Sequence, residues 1–142
     1  MVRPGAEMPP DLDEGRLAAF LFEALKPWND TLEDIGRGIE YARSSSPERG
    51  GLLLLARLDD ELVGACVLLR TGMGGYVPGW LLLFVAVPSQ RRGLGIGGDL
   101  VKLAVETCGG DLALHVEHDN PAKRLYERVG FVSKYAEMRW SE

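Results

Sequence analysis

Between an apolar run and a helical pattern the chain carries Gln90-Arg91-Arg92-Gly93-Leu94-Gly95-Ile96-Gly97, with three glycines in five positions beside two adjacent guanidinium groups. The first amides of a helix lack intrahelical partners, and the helix dipole places partial positive charge at that end. Glycines allow an anion to approach bare backbone, and arginines add charge-assisted hydrogen bonds. These residues predict a site for a phosphate or pyrophosphate. Repeated glycine in a first helical turn costs ~1 kcal/mol per residue relative to alanine, so it calls for a reason beyond a plain turn. Gly93-x-Gly95-x-x-Gly98 also matches the dinucleotide fingerprint, with Glu117 about where a ribose-binding acid falls. Against that alternative, residues 88–92 separate the strand from the glycines, and no run of βα units precedes them.

The elements that position this loop follow from periodicity. Residues 81–87 (LLLFVAV) have the length of a buried strand and are too few to span a membrane; Pro88 ends them. Leu100, Val101, Leu103, Ala104 and Cys108 then recur at helical spacing. Upstream, Leu17, Phe20, Leu21, Ala24 and Leu25 predict a helix from Asp13 that Pro27 stops. Leu32, Ile35, Ile39 and Ala42 predict a second, capped from Asn29-Asp30-Thr31 and weakened by Gly36 and Gly38. Residues 52–58 and 62–69 form an expected antiparallel hairpin around Asp59-Asp60-Glu61. A glycine-rich connection, residues 70–79, leads into the apolar run. After the central helix, residues 111–117 predict a strand parallel to it, and residues 122–129 a last helix closed by Gly130. Short strands are expected at 132–135 and 137–140.

Two stretches carry a resemblance to a known family. Gln-x-x-Gly-x-Gly after a hydrophobic strand, at Gln90 to Gly95, is similar to the acetyl-coenzyme A signature of the GNAT-type N-acetyltransferase superfamily. Residues 120–131 (NPAKRLYERVGF) are similar to that family's Asn-x-x-Ala-x-x-x-Tyr-x-x-x-Gly-Phe region, and Val63-Gly64 fits its third strand. The resemblance covers residues 52–131 and implies an α+β fold of GNAT type in one domain over residues 1–142. It would have a mixed central sheet flanked by helices on both faces, and Val2-Arg3-Pro4 as the end of a first strand that is short or missing. It implies acetyl transfer from acetyl-coenzyme A to a primary amine of a small molecule or protein, without a metal. Loop amides and side chains from Gln90, Arg91, Arg92, Gly93, Leu94, Gly95, Ile96 and Gly97 would hold the coenzyme pyrophosphate. The backbone of Val85, Ala86 and Val87 would hold its pantetheine arm. Tyr126 stands where the family's tyrosine protonates the departing thiolate. Counting back from it, the family's asparagine position holds Asp119, and Asn120, one residue later, is both a candidate coenzyme contact and a candidate cap. No acid or histidine lies in residues 81–87 to act as base; Glu117 or His118 acting through water is the remaining candidate, with His115 a plain strand residue.

Bulk properties bound the rest. The chain has 142 residues, enough for one core, and a formal net charge of −5, which argues against wholesale nucleic-acid binding. Cys66 and Cys108 lie in apolar stretches without metal-like spacing and predict buried free thiols, hence the cytoplasm. The N-terminal residues carry acids and prolines where a signal peptide needs an apolar core. Acids are frequent in the first two helices, and since the resemblance implies that those helices border the acceptor site, a cationic acceptor is expected. A homodimer is one option. The rival function is a non-catalytic coenzyme A binder of the same fold.

Overall fold

The structure is a computed structural model, and it describes residues 1–28 and 30–142. Two helices open it: α1 (Glu14–Ala24), capped by the Asp13 carboxylate accepting from Arg16 N, and α2 (Leu32–Arg43), capped by the Thr31 hydroxyl accepting from Asp34 N. The cap expected at Asn29 lies outside the described residues. Strands β1 (Gly51–Leu58) and β2 (Glu61–Arg70) then pair antiparallel through the two-residue turn Asp59-Asp60, both at positive φ as such a turn requires. β3 (Trp80–Ala86) pairs antiparallel with β2. A single 3-10 turn (Ser89–Arg91) leads into α3 (Ile96–Thr107). β4 (Leu112–Leu114) returns parallel to β3, and α4 (Ala122–Val129) follows, with Gly130 at φ 122 as its cap. The sheet order is β1-β2-β3-β4. This mixed sheet between helices is an α+β fold of the expected kind. On the outer edge of β1, Val2 forms an isolated antiparallel bridge with Leu53.

Alternation along the strands divides the core into two clusters. On one face Leu53, Ala65, Val67, Phe84 and Ala86 bury against Leu17, Leu21, Ile35 and Ile39 of α1 and α2. On the other, Leu52, Leu54, Cys66, Leu68 and Leu82 bury against Leu100, Val101, Ala104 and Tyr126 of α3 and α4. A bulge opposite Val67/Leu68 shifts the phase of β3, so adjacent Leu83 and Phe84 both pack on the α1/α2 side while Val85 returns to the other. Among the described residues no helix is long and apolar enough to cross a membrane.

Three local expectations change. Leu32 is half exposed at the first turn of α2 rather than packed inward. The strand expected at 111–117 shortens to three residues, and none forms at 132–135 or 137–140. Residues 132–142 make no backbone hydrogen bond among the described residues. Alternating apolar residues there suit a strand, but a strand persists only beside a partner, and Val132, Met138 and Trp140 are 84–91% exposed.

The glycines of α2 are unequal. A Cβ on Gly38 would sit 2.4 Å from Leu83 Cδ2 and 3.1 Å from Phe84 Cε2, whereas one on Gly36 meets nothing within 4 Å. Gly38 is thus where the helix approaches the bulge, and Gly36 only weakens the helix. Gly36→Ala is expected to raise stability by ~0.5–1 kcal/mol, and Gly38→Ala to lower it by ~1–3 kcal/mol as Leu83 is displaced. Urea unfolding midpoints of the two variants should move in opposite directions.

Candidate functional site

The site is built at the end of β3. β2 covers one edge of β3 along the strand, but β4 pairs only with Trp80, Leu81 and Leu82. Beyond Leu82 the two parallel strands part, and among the described residues the β3 edge carrying Val85 and Ala86 has no strand partner on that side. The chain continues through Val87 into the turn and then α3. Gly95 caps α3 in the left-handed region, φ 81 and ψ 4, with no side-chain hydrogen bond, and the first helical bond runs from Asp99 N to Gly95 O at 3.0 Å. The amides of Ile96, Gly97 and Gly98 therefore have no acceptor among the described residues.

Each glycine has its own reason. Gly93 and Gly95 hold φ of 82 and 81, and a Cβ on either would meet no atom within 4 Å, so the backbone there is both glycine-dependent and open. A Cβ on Gly97 would lie 3.5 Å from Leu125 Cδ2 and 3.7 Å from Val87 Cγ2, so the first turn of α3 rests on α4 and on the end of β3. Gly64 lets Ile96 and Leu100 settle onto β2, where a Cβ would come within 2.9 Å of both. The Val63-Gly64 pair thereby seats α3 on the sheet.

The polar residues of the loop divide. Gln90 and Leu94 are exposed. Arg91 forms an ion pair with Glu61. Arg92 donates from Nε to Val87 O at 3.1 Å and from a terminal nitrogen to Ala24 O at 2.8 Å. Both guanidinium groups thus engage protein partners rather than the N-terminus of α3. Asn120 Oδ1 accepts from Ala122 N at 2.9 Å in the turn that leads into α4, while the N-cap position expected of it is taken by Pro121.

Tyr126 lies on the inner face of α4 in the same cluster as Val85 and Cys66, and Cys66 is the cross-strand partner of Val85. Its ring meets Phe131 edge-on at 6.0 Å, and its hydroxyl makes no hydrogen bond among the described residues. Burial, then the nearby Cys66 thiol, push the phenol up to about 12. It is a protonated donor at neutral pH. Cys66 and Cys108 are buried free thiols; burial pushes Cys66 far up and Cys108 up to about 11, so neither is a ready nucleophile. His115, Glu117 and His118 are exposed past the end of β4. The proximity of Cys66 to Tyr126 carries no sequence signal, because it arises from packing between β2 and α4.

Most acids of the first helices sit in ion pairs, whereas the exposed Glu40 of α2 has none among the described residues. Asp13 pairs with Arg16, Glu14 with Arg43, Glu23 with Lys26, and Glu33 and Asp34 with Arg37. Two surface hollows, of about 350 and 630 Å³, lie around Arg43 and do not reach the glycine loop. Among the described residues no group of three or more His, Cys, Asp or Glu is placed to hold a metal ion. The dinucleotide alternative fails on the sheet: the β1–β2 and β2–β3 pairings are antiparallel, and among the described residues only β3 and β4 pair in parallel.

Comparison with known proteins agrees with this architecture. Among solved structures, the fold is shared with a transcriptional regulator from Bacillus halodurans C-125 (TM-score 0.68, 21% identity, 92% of this chain and 96% of that one). It is shared with the aminoglycoside antibiotic 6′-N-acetyltransferase of Acinetobacter haemolyticus (TM-score 0.66, 15% identity, 92% and 94%). It is shared also with the ribosomal-protein-alanine N-acetyltransferase of Brucella melitensis (TM-score 0.52, 21% identity, 63% and 72%). Curated protein sequences give no match. The model of the acetyltransferase (GNAT) family matches residues 13–131, which takes in the loop, the parted strands and Tyr126. The chain belongs to the GNAT family of acetyltransferases.

Proposed function

We propose that this protein transfers an acetyl group from acetyl-coenzyme A to a primary amine, with Tyr126 as the general acid. One observation carries the reading: the uncapped first turn of α3 and the unpaired edge of β3 meet at one end of the sheet. The amides of residues 96–98 would hold the pyrophosphate, and the Val85 to Val87 backbone would align the pantetheine arm. The chemistry supplied by the bound coenzyme is an activated thioester. On this reading the amine nitrogen attacks the carbonyl carbon, the carbon–sulfur bond breaks, and the sulfur takes the Tyr126 hydroxyl proton. The amine's surplus proton leaves to solvent, and the Tyr126 phenolate, whose phenol is raised to about 12, takes a proton back from solvent. Holding both reactants in line is the larger part of catalysis here, because it converts a bimolecular encounter into a unimolecular step.

The amine, rather than hydroxyl, acceptor rests on the family resemblance together with the two N-acetyltransferases that share the fold. Glu33 and Asp34 share Arg37 and Glu40 has no ion-pair partner among the described residues, so α1 and α2 keep an excess of negative charge that supports a cationic acceptor. Isothermal titration should find coenzyme A and acetyl-coenzyme A binding and NAD binding far more weakly. Tight NAD binding without coenzyme binding overturns the reading. The fold is shared with a protein described as a transcriptional regulator, which favours keeping a non-catalytic coenzyme A binder as the second reading. Release of free thiol from acetyl-coenzyme A across an amine panel separates the two: the enzyme turns over and the binder does not.

A further inference from the structure

We infer that Arg92 is a positioning residue that ties the coenzyme loop to the C-terminus of α1, and not a ligand of the coenzyme phosphates. The side chain leaves the loop and ends between two carbonyls, Val87 O at 3.1 Å and Ala24 O at 2.8 Å, the second from a residue 68 positions away. A helix C-terminus exposes carbonyls that lack intrahelical donors and carries partial negative charge. α1 has no basic residue in its own last turn, so Arg92 supplies the missing cation from across the fold. The same guanidinium fixes the carbonyl at which β3 becomes the loop. The planar fork holds Nε–H and a terminal N–H in fixed directions toward acceptors on two elements; a lysine ammonium has three donors but gathers them on one nitrogen at the end of a flexible stem. The strut therefore sets where the loop stands relative to α1, and binding at the loop is felt at residues 24–28.

The inference rests on the coenzyme-binding reading for its second half, and the test separates the two. Compare wild type, Arg92→Ala, Arg92→Lys and Arg91→Ala by amide hydrogen exchange and by titration with coenzyme A at several salt concentrations. The reporter amides are Leu25 and Trp28, bonded at 2.9 Å to Leu21 O and Leu25 O. Both Arg92 variants are expected to exchange faster there, Arg91→Ala is not, and coenzyme A should slow this exchange only when Arg92 is present. Both should weaken coenzyme A by about tenfold, the worth of a lost hydrogen bond to a charged group, with wild-type salt dependence. Rescue of affinity by Lys, a flattened salt dependence in Arg92→Ala, or unchanged exchange at α1 would each overturn the inference. If the wild-type chain binds no coenzyme, the acetyl-transfer reading fails, and exchange in the ligand-free variants alone decides the strut.

Discussion

Tyr126→Phe is expected to lower kcat at least about tenfold while leaving coenzyme affinity and melting temperature nearly unchanged, since general acids typically contribute ~10²–10⁴-fold. A free thiol has a pKa near 8.5, so coenzyme A departs near neutrality as a thiolate that gains from a proton. A phenol raised to about 12 keeps that proton throughout the working range. Packing is preserved because the ring keeps its contact with Phe131, and no partner is left stranded because the hydroxyl has none among the described residues. A second readout follows from the raised pKa. Burial favours the neutral phenol, so its contribution to stability is complete below pH ~10 and is lost as pH rises through about 12. The variant should therefore lose less stability than wild type over that interval, with Cys66 and Cys108 still titrating in both. Initial rates with one saturating acceptor, and urea unfolding at high pH, measure the two effects. An unchanged kcat under chemistry-limited turnover would remove Tyr126 from the mechanism.

Gly95→Val is expected to weaken coenzyme A at least about tenfold and also to cost ~1–3 kcal/mol of stability, because a β-branched residue is strained at positive φ. At φ 81 the backbone itself demands glycine, even though no protein atom lies within 4 Å of the added Cβ. That empty space is where the pyrophosphate would approach, so a valine there obstructs the ligand as well as straining the turn. Gly110 supplies the control. It also sits at φ 81 with no atom near its Cβ, but at the opposite end of α3. Gly110→Val should share the stability loss and keep coenzyme affinity. Arg91→Ala should do little to either, since its partner Glu61 is half exposed and such pairs contribute ~0–1 kcal/mol. Equal affinity losses in the Gly95 and Gly110 variants would reduce the loop effect to folding alone.

Much of this molecule is written locally. The strand, loop and helix around Gly95 need only an apolar run, a proline, glycines and a 3.6-residue repeat; the structure places β3 within a residue of the apolar run and starts α3 at Ile96, inside the glycine loop. Tyr126 stands out through its spacing to Gly130, whereas Asn120 lies one residue late for that spacing and bonds within the turn before α4, whose N-cap is Pro121. What failed locally was what depends on a neighbour. Residues 132–140 alternate like a strand yet form no ladder among the described residues, since a ladder needs a second backbone.

The sequence by itself determined the two-faced sheet and the anion-ready turn, because side-chain periodicity and helix-end electrostatics are properties of short segments. Tertiary structure alone decided the rest. The bulge at Leu83, and with it the need for a bare Cα at Gly38, appears only when α2 meets β3. The parting of β3 from β4 after Leu82 depends on register between strands separated by a helix. Arg92 looks identical to Arg91 along the chain, but it reaches Ala24 while its neighbour reaches Glu61. Those partners lie 68 and 30 residues away, and only folding brings them within reach.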